Sequence, residues 1–301
     1  MRESGLRARL PLALLAVAIA LGAYLRFANL ATLELSADEG ASWAAASAPT
    51  LGQVIRLQTR ANPGELGLHD ATLHLWMSLF GDNLVAMRSL SATAGTVAIL
   101  LVFMVVREVM VLASKPDDET PASAVDEPAG SDTELIAALA ALIFAVNLVT
   151  IKYSREARMY PLALALTLAQ VWFFARSLRV GTMLAYEGAA VLTALAVAAT
   201  YTASLMLVPE GLYLMMVLAE SSARNWRRVA AVGSALGAGL LLTAPFVLIA
   251  TELRGGAPNP RTWEWIPRPT LGAPITLFNK ATGTYGFPLL AILAASGVAR
   301  Q

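Results

Sequence analysis

The residues of this chain best suited to chemistry are two adjacent carboxylates, Asp38 and Glu39, in the segment "SADEGAS". They come soon after an uncharged stretch, in a chain that is otherwise poor in charge. A carboxylate held at a membrane surface can act as a general base. The alternative is a polar loop in which both acids are solvated. The pair is therefore a catalytic candidate, and the rest of the chain must decide between the two interpretations.

A second candidate is the cluster of cations in the segment "IKYSREARMYP", which contains Lys152, Arg155 and Arg158. A short external turn does not need three cations, and moving them across a membrane runs against the usual charge bias. Guanidinium groups can bind phosphate oxygens in bidentate fashion. We predict a clamp for an anionic headgroup that includes Tyr160, with Glu156 holding one arginine by an ion pair. The alternative is a set of cations that snorkel at a helix end.

The composition indicates an integral membrane protein. Hydrophobic residues make up 57% of the chain and charged residues 14%, and the mean hydropathy is +0.61; soluble domains are less apolar and more highly charged. The net charge of +1 gives no reason to expect a nucleic-acid partner. The absence of cysteine excludes disulfides and thiolate chemistry. Two histidines are too few for a histidine-rich metal site, so no metal is predicted, although a carboxylate-bound divalent cation stays open.

Uncharged runs of nearly the ~20 residues that a helix needs to cross a bilayer predict the spans. Six are evident: Leu10–Leu25, Ser89–Val106, Leu135–Ile151, Met159–Ala175, Val229–Ala250 and Ala281–Ala299. Two more lie between Arg179 and Glu220, with a turn at Thr200–Ser204. We therefore predict an all-α, multi-pass protein with about eight spans. Arginines in the tight loops place the N-terminus in the cytoplasm and "SADEGAS" outside.

The predicted single domain over residues 1–301 contains three long loops. The first extracytoplasmic loop, residues 29–83, has two apolar segments: "PTLGQVIRLQTR", which has helical spacing, and "ATLHLWMSLFG", which is too short to span. We predict that both are helices lying at the membrane interface. Residues 114–132 are rich in Pro, Ala, Ser and acids and predict a disordered cytoplasmic loop. Residues 252–280 form the last extracytoplasmic loop. A loop as long as the first is more typical of a functional surface than of a connector.

Other polar residues leave further interpretations open. His69 and Asp70, with His74, could bind a metal, but isolated histidines are more often satisfied polar residues. Glu187 and Glu210 fall near predicted spans, where an acid suggests function, and favour as an alternative a proton-linked transporter. Additional aromatic and basic candidates lie in the last external loop: Trp263, Trp265 and Arg268. They could stack on sugar rings at a cleft or form an interfacial aromatic belt.

The order of these motifs resembles that of bacterial glycosyltransferase family 39. The resemblance rests on the acidic pair after the first span, then "LHLWMSLFGDNLVAMRSLSATAG", "YSREARMYPLALAL", "YTASLML" and "WEWIPRPT". Family 39 includes relatives of protein O-mannosyltransferases and of aminoarabinose transferases, within the GT-C superfamily. The resemblance implies a GT-C-like helical bundle. It also implies a transferase whose donor is a sugar linked to a polyprenyl phosphate and whose acceptor is a protein, lipid or glycan.

The resemblance also implies roles for particular residues. Asp38 matches the catalytic base, with Glu39 in the neighbouring acidic position, and Arg158 matches the arginine that meets the donor phosphate. His69 and Asp70 stand near the place where many relatives carry "His-Pro-Pro-Leu", and they are candidates for the substrate cleft. Relatives are longer than this chain, which keeps a truncated, non-catalytic membrane subunit as an alternative.

Overall fold

We analysed a computed structural model that describes residues 2–32, 34–61, 65–114, 130–220 and 226–253. These residues form α-helices with one 3-10 helix (Tyr201–Met206), and no strand occurs among them. The helices are α1 (Arg2–Phe27), α2 (Ala37–Ala46), α3 (Leu51–Ala61), α4 (Leu68–Phe80), α5 (Leu84–Ala113), α6 (Ser131–Ala145), α7 (Leu148–Ser154), α8 (Tyr160–Val180), α9 (Met183–Ala199), α10 (Leu207–Glu220) and α11 (Trp226–Leu253). The chain divides into two units at Gly256, and everything described here belongs to the first.

Long apolar helices confirm the prediction of a multi-pass helical membrane protein. In the described ranges, five stretches are long and apolar enough to cross a bilayer: Arg9–Phe27, Leu84–Ala113, Tyr160–Val180, Tyr201–Ala219 and Trp226–Glu252. Helices α6 and α7 make a sixth if the bent pair counts as one span. Helix α9 is apolar but shorter, and the predicted span Ala281–Ala299 lies outside the described residues. The figure of eight spans therefore stays a prediction.

Helix α5 shows how the bundle separates its charges. Arg88 near its start and Glu108 near its end are both buried. They are 20 positions apart, which corresponds to about 30 Å of helix, the thickness of a hydrocarbon core. Arg88 pairs with Glu39, whereas Glu108 accepts a 2.6 Å hydrogen bond from Nε of Arg179 in α8. Buried ion pairs thus mark both ends of the bundle, which we call the Arg88 end and the Glu108 end.

Small residues let the helices that carry the Arg88 end pack closely. Fully buried alanines of α1 and α6 belong to one cluster with Ile99 of α5: Ala18, Ala137, Ala138, Ala141 and Ala145. In a membrane, such residues allow helix backbones to approach and gain van der Waals contact. Gly239 of α11 has the same role beside α9, because a Cβ there would lie 2.5 Å from the carbonyl oxygen of Ala190.

The predicted span Leu135–Ile151 is broken in the structure, with a bend of 60° between α6 and α7. Asn147 caps α7 by accepting hydrogen bonds from the backbone N–H groups of Val149 and Thr150, each at 3.1 Å. The buried Arg26 donates to the freed carbonyl oxygen of Ala145 at 2.9 Å, where a cation also favours the helix dipole. This break sends the chain sideways toward the cation-rich segment.

Residues 29–83, predicted to be the first extracytoplasmic loop, contain three helices in their described part rather than the two predicted. Helices α3 and α4 confirm the two apolar segments as helical. The unpredicted helix α2 starts inside "SADEGAS", where Ser36 and Glu39 form a capping box: the Ser36 hydroxyl accepts from the Glu39 N–H at 3.2 Å, and the Ser36 N–H donates to the Glu39 carboxylate at 3.0 Å. The Ser-x-x-Glu spacing is a sequence signature of a helix start. Residues of a site in this segment are therefore held by helices.

At the other end of α5, the disordered loop predicted over residues 114–132 is only partly described. Helix α6 begins at Ser131, so the loop ends earlier than predicted. Residues 115–129 lie outside the described residues.

Candidate active site at the Arg88 end

Glu39 is the centre of a buried hydrogen-bond network rather than a solvated acid. Its carboxylate is 1% exposed and faces the Arg88 guanidinium in bidentate geometry, with Nε–Oε1 and Nη2–Oε2 distances of 2.8 Å. Oε1 also accepts from the backbone N–H of Ala157 at 2.9 Å. One side chain thus joins the start of α2, the start of α5 and the turn before α8. The alternative of a polar loop in which both acids are solvated is therefore wrong for Glu39.

Arg88 extends this network into the segment before α2. Its Nη1 donates to the carbonyl oxygen of Leu30 at 2.6 Å, and its Nη2 donates to that of Glu34 at 3.0 Å. A bidentate arginine with further carbonyl partners fixes position as well as charge. The pair therefore fixes where the backbone of "SADEGAS" lies.

The environment of Glu39 favours its ionised form. Burial raises the pKa of the carboxyl, but hydrogen bonds from Arg88 and from the N–H groups of Ala157 and Ser36, with the Arg88 charge, outweigh burial and lower the pKa to about 2. Hydrogen bonds to a carboxylate have this effect because protonation would break them.

A pH-dependent stability follows from this pKa. Because the folded-state pKa of Glu39 lies below the ordinary Glu value of ~4.3, its ionisation stabilises the fold above that pH and the contribution is lost as the pH falls toward 2. We expect the thermal midpoint of the purified protein in detergent to fall over this window. The thermal midpoint of a Glu39→Gln protein should fall less over the same pH range. An equal fall in both proteins would contradict the assignment of this pH dependence to Glu39.

Arg158 lies against Asp38, and its guanidinium makes few hydrogen bonds. It is 7% exposed, yet Nη1 makes only a 3.3 Å hydrogen bond to the Asp38 carbonyl oxygen and Nη2 lies 3.8 Å from Oε1 of Glu65. Nε has no hydrogen-bond partner among the described residues. Its ring neighbour is Tyr160, whose centroid is 5.9 Å from the guanidinium carbon. Buried guanidinium groups are normally well hydrogen-bonded, so this one is suited to an anionic ligand.

An acidic group of buried residues borders Arg158 on the side of α3 and α4. Glu65 accepts from Nε2 of Gln58 at 2.9 Å, and Nδ1 of His69 lies 2.7 Å from Oδ1 of Asp70. Burial, together with the Asp70 charge, raises the pKa of Glu65, while His69, Arg158 and Gln58 oppose the change. Within the described part of the chain, Nε2 of His69 and Oδ2 of Asp70 make no hydrogen bond.

Asp38 differs from its neighbour because its side chain is exposed. The side chain makes no hydrogen bond or ion pair to a described residue, although Asp38 occupies the first turn of α2, where an acid favours the helix dipole. The backbone carbonyl contact nevertheless fixes Arg158 beside it. The fold thus brings together the acidic pair and one cation of "IKYSREARMYP", which are far apart in sequence.

The remaining cations of the predicted clamp are not gathered on Arg158. Arg155 makes a long 3.3 Å hydrogen bond from Nη2 to the carbonyl oxygen of Asn29, and its buried Nε is unpartnered among the described residues. Lys152 is exposed, with its amine 5.6 Å from the centroid of Tyr153. The expectation that Glu156 holds an arginine is wrong for the described residues, because the ion pair of Arg158 is made by Glu65.

Several other predicted residues lie elsewhere. His74 uses Nδ1 to donate to the carbonyl oxygen of Ala46 at 2.8 Å, which ties α4 to α2, and no cluster of three or more metal-binding side chains occurs in the described ranges. Glu187 is exposed on α9. Glu210 is buried, and accepts from Nε2 of Gln170 at 3.0 Å. Three candidates lie outside the described residues: Trp263, Trp265 and Arg268.

Comparison of the chain with protein-family models, curated proteins and solved structures gives no match. The resemblance in motif order therefore stays a hypothesis about function.

Two residues of this site were not assigned a role from the sequence. Arg88 directly precedes the uncharged run that begins at Ser89. An arginine at the edge of a span requires a partner when it is buried, so its position in the sequence was a usable signal. Glu65 offers no such signal, because nothing in the spacing connects it to Arg158. Only the packing of the first loop against the turn before α8 brings the two together.

Proposed function

We propose that the chain is a membrane glycosyltransferase of GT-C-like architecture, which moves a sugar from a polyprenyl-phosphate donor to an extracytoplasmic acceptor. The observation that carries the proposal is the buried, incompletely hydrogen-bonded Arg158 fixed beside the exposed Asp38. A phosphate would supply the acceptor oxygens that this guanidinium needs. An exposed carboxylate next to it could take a proton from an incoming hydroxyl group.

The reaction assigns a separate task to each residue. The acceptor hydroxyl oxygen attacks the anomeric carbon, and its proton passes to Asp38. The bond between that carbon and the phosphate oxygen breaks, and its electron pair leaves with the polyprenyl phosphate. A single displacement inverts the anomeric centre. Arg158 stabilises the charge that develops on the departing phosphate, where a preorganised cation contributes most.

Glu39 contributes by position in this proposal. Its network with Arg88, Ala157 and Ser36 fixes the start of α2 against the turn that carries Arg158. A displacement of about 1 Å in such an arrangement can lower a rate by roughly 100-fold. We therefore assign Glu39 a positioning role, which it performs through its ion pair with Arg88.

The proposal places the site on the extracytoplasmic side, with the N-terminus in the cytoplasm. The lipid tail would deliver the donor from the bilayer, so no nucleotide-binding fold is required. The acceptor would be a protein, a lipid or a glycan.

A phosphate bound by Arg158 should be sensitive to the geometry of the cation. In an Arg158→Lys protein the charge is kept but the planar fork is lost, and charge-assisted hydrogen bonds are worth about 1.5–3 kcal/mol each. We expect the affinity for farnesyl phosphate, measured by titration in detergent, to fall roughly 10- to 100-fold. Arg60→Lys, an exposed site on α3, is the matched control. Equal affinity in both proteins would leave Arg158 as a structural arginine.

Glu210 supports a second candidate function, a proton-linked transporter. It is 3% exposed within the span Tyr201–Ala219, and its Oε1 has no hydrogen-bond partner among the described residues. Buried acids inside spans often mark ion or proton paths. The two functions predict different sensitive residues: a transporter loses activity in Glu210→Gln and keeps it in Asp38→Asn, whereas the transferase shows the reverse.

A further inference from the structure

Glu65 contacts the proposed phosphate-binding arginine but has no task in the chemistry above. Glu65 is 2% exposed, with Oε1 3.8 Å from Nη2 of Arg158 and Oε2 accepting from Nε2 of Gln58 at 2.9 Å. The distance to Arg158 is that of an ion pair without a hydrogen bond. Glu65 is thus an internal anion placed on the guanidinium nitrogen that a ligand would also use.

The charges around Glu65 make a second anion costly there. Arg158 faces it from the turn before α8, Asp70 and the titratable His69 from α4, and the neutral Gln58 from α3. The charge of Asp70 thus already acts on Glu65 in addition to that of Arg158. Burying an additional uncompensated charge in such surroundings is strongly unfavourable.

We propose that the Glu65 carboxylate competes with a ligand phosphate for the Arg158 guanidinium, so that a phosphate binds together with a proton on Glu65. The inference rests on the proposed role of Arg158. The balance is simple: a phosphodiester brings one negative charge, and one proton from solvent goes to the Glu65 carboxylate. The charge of the buried cluster then stays constant. The raised pKa of Glu65, caused by burial and by Asp70, makes this protonation easier.

The direction of the pH dependence follows from the competition. Below the pKa of Glu65 the carboxyl is neutral and Arg158 is available, so phosphate affinity is high. As the pH rises through that pKa, the carboxylate competes for Arg158 and the affinity falls. Glu65→Gln keeps the shape and the polarity of the side chain but cannot ionise. It should therefore hold the high affinity at all pH values.

The experiment uses the full-length protein in detergent and farnesyl methyl phosphate as the probe. This phosphodiester keeps one charge between about pH 5 and about pH 8, unlike a phosphate monoester, whose second pKa is ~6. Like charges brought together cost several kcal/mol, so we expect wild-type affinity to fall at least about tenfold across this range. Glu65→Gln should bind at least about tenfold more tightly than wild type at the upper pH, with a flat profile.

Two variants test whether the pH dependence of binding belongs to Glu65 or to a neighbouring titratable group. Glu156→Gln removes a carboxylate two residues before Arg158 that makes no ion pair with a described residue, and it should retain the wild-type pH profile. A profile that flattens in His69→Gln but not in Glu65→Gln would assign the proton to His69 and overturn the proposal.

The two proposals fail in different ways. Probe binding that depends on Arg158 but is the same in wild type and Glu65→Gln contradicts the role of Glu65 alone. Binding that is insensitive to Arg158→Lys contradicts the proposed function itself. A matching elution profile and thermal midpoint for Glu65→Gln would establish that the variant is folded.

Discussion

Replacing Asp38 by asparagine is expected to lower the rate of sugar transfer by roughly two to four orders of magnitude, the usual contribution of a general base. The amide keeps the size of the side chain but cannot accept the proton of the acceptor hydroxyl. The side chain is exposed and makes no hydrogen bond to a described residue, so stability should change by less than ~0.5 kcal/mol. The measurement is turnover of a polyprenyl-phosphate sugar by the purified protein.

The controls for this prediction lie on the same loop. Asp82→Asn changes another exposed acid within residues 29–83 and should leave turnover unchanged. The donor affinity of Asp38→Asn should stay near that of wild type, because Arg158 contacts only the backbone carbonyl of Asp38. A normal transfer rate in Asp38→Asn would return this residue to the status of a solvated helix-terminal acid, and would favour the non-catalytic subunit or the transporter.

The ion pair between Glu39 and Arg88 should have the largest effect on stability. In Glu39→Ala the Arg88 guanidinium stays buried without its carboxylate, and the loss of one partner of a buried pair costs about 3–5 kcal/mol. The N–H of Ala157 also loses its acceptor. We expect this loss in the free energy of unfolding, measured by chemical denaturation in mixed micelles. Glu34→Ala, an exposed acid in the segment before α2, is the matched control and should be nearly neutral.

A double-mutant cycle can separate this pair from its surroundings. If Glu39 and Arg88 act as one unit, the loss in Glu39→Ala with Arg88→Ala should be smaller than the sum of the single losses. Additive losses would show that each residue stabilises the fold through other contacts, such as those of Arg88 to the carbonyl oxygens of Leu30 and Glu34.

The sequence by itself determined the class of protein and most of its helices. Uncharged runs such as Ser89–Val106 predicted spans because a bilayer requires apolar residues around the whole helix, and this requirement is local. Helix α3 followed from apolar spacing and α4 from a short apolar run, which are local signals too. The capping box of Ser36 and Glu39 was readable too, since its signal lies within four residues. The choice of Asp38 and Arg158 as candidates came from residue type and motif order.

Tertiary structure alone decided what these residues touch. The partner of Arg158 is Glu65 rather than the nearby Glu156, because the first loop packs against the turn before α8. The adjacent acids Asp38 and Glu39 have different environments, one exposed and one buried on Arg88, because successive residues of a helix point in different directions. The break in the span Leu135–Ile151 depends on a carbonyl contact from Arg26, 119 residues away from Ala145. Such contacts depend on the packing of distant segments, which no local pattern encodes.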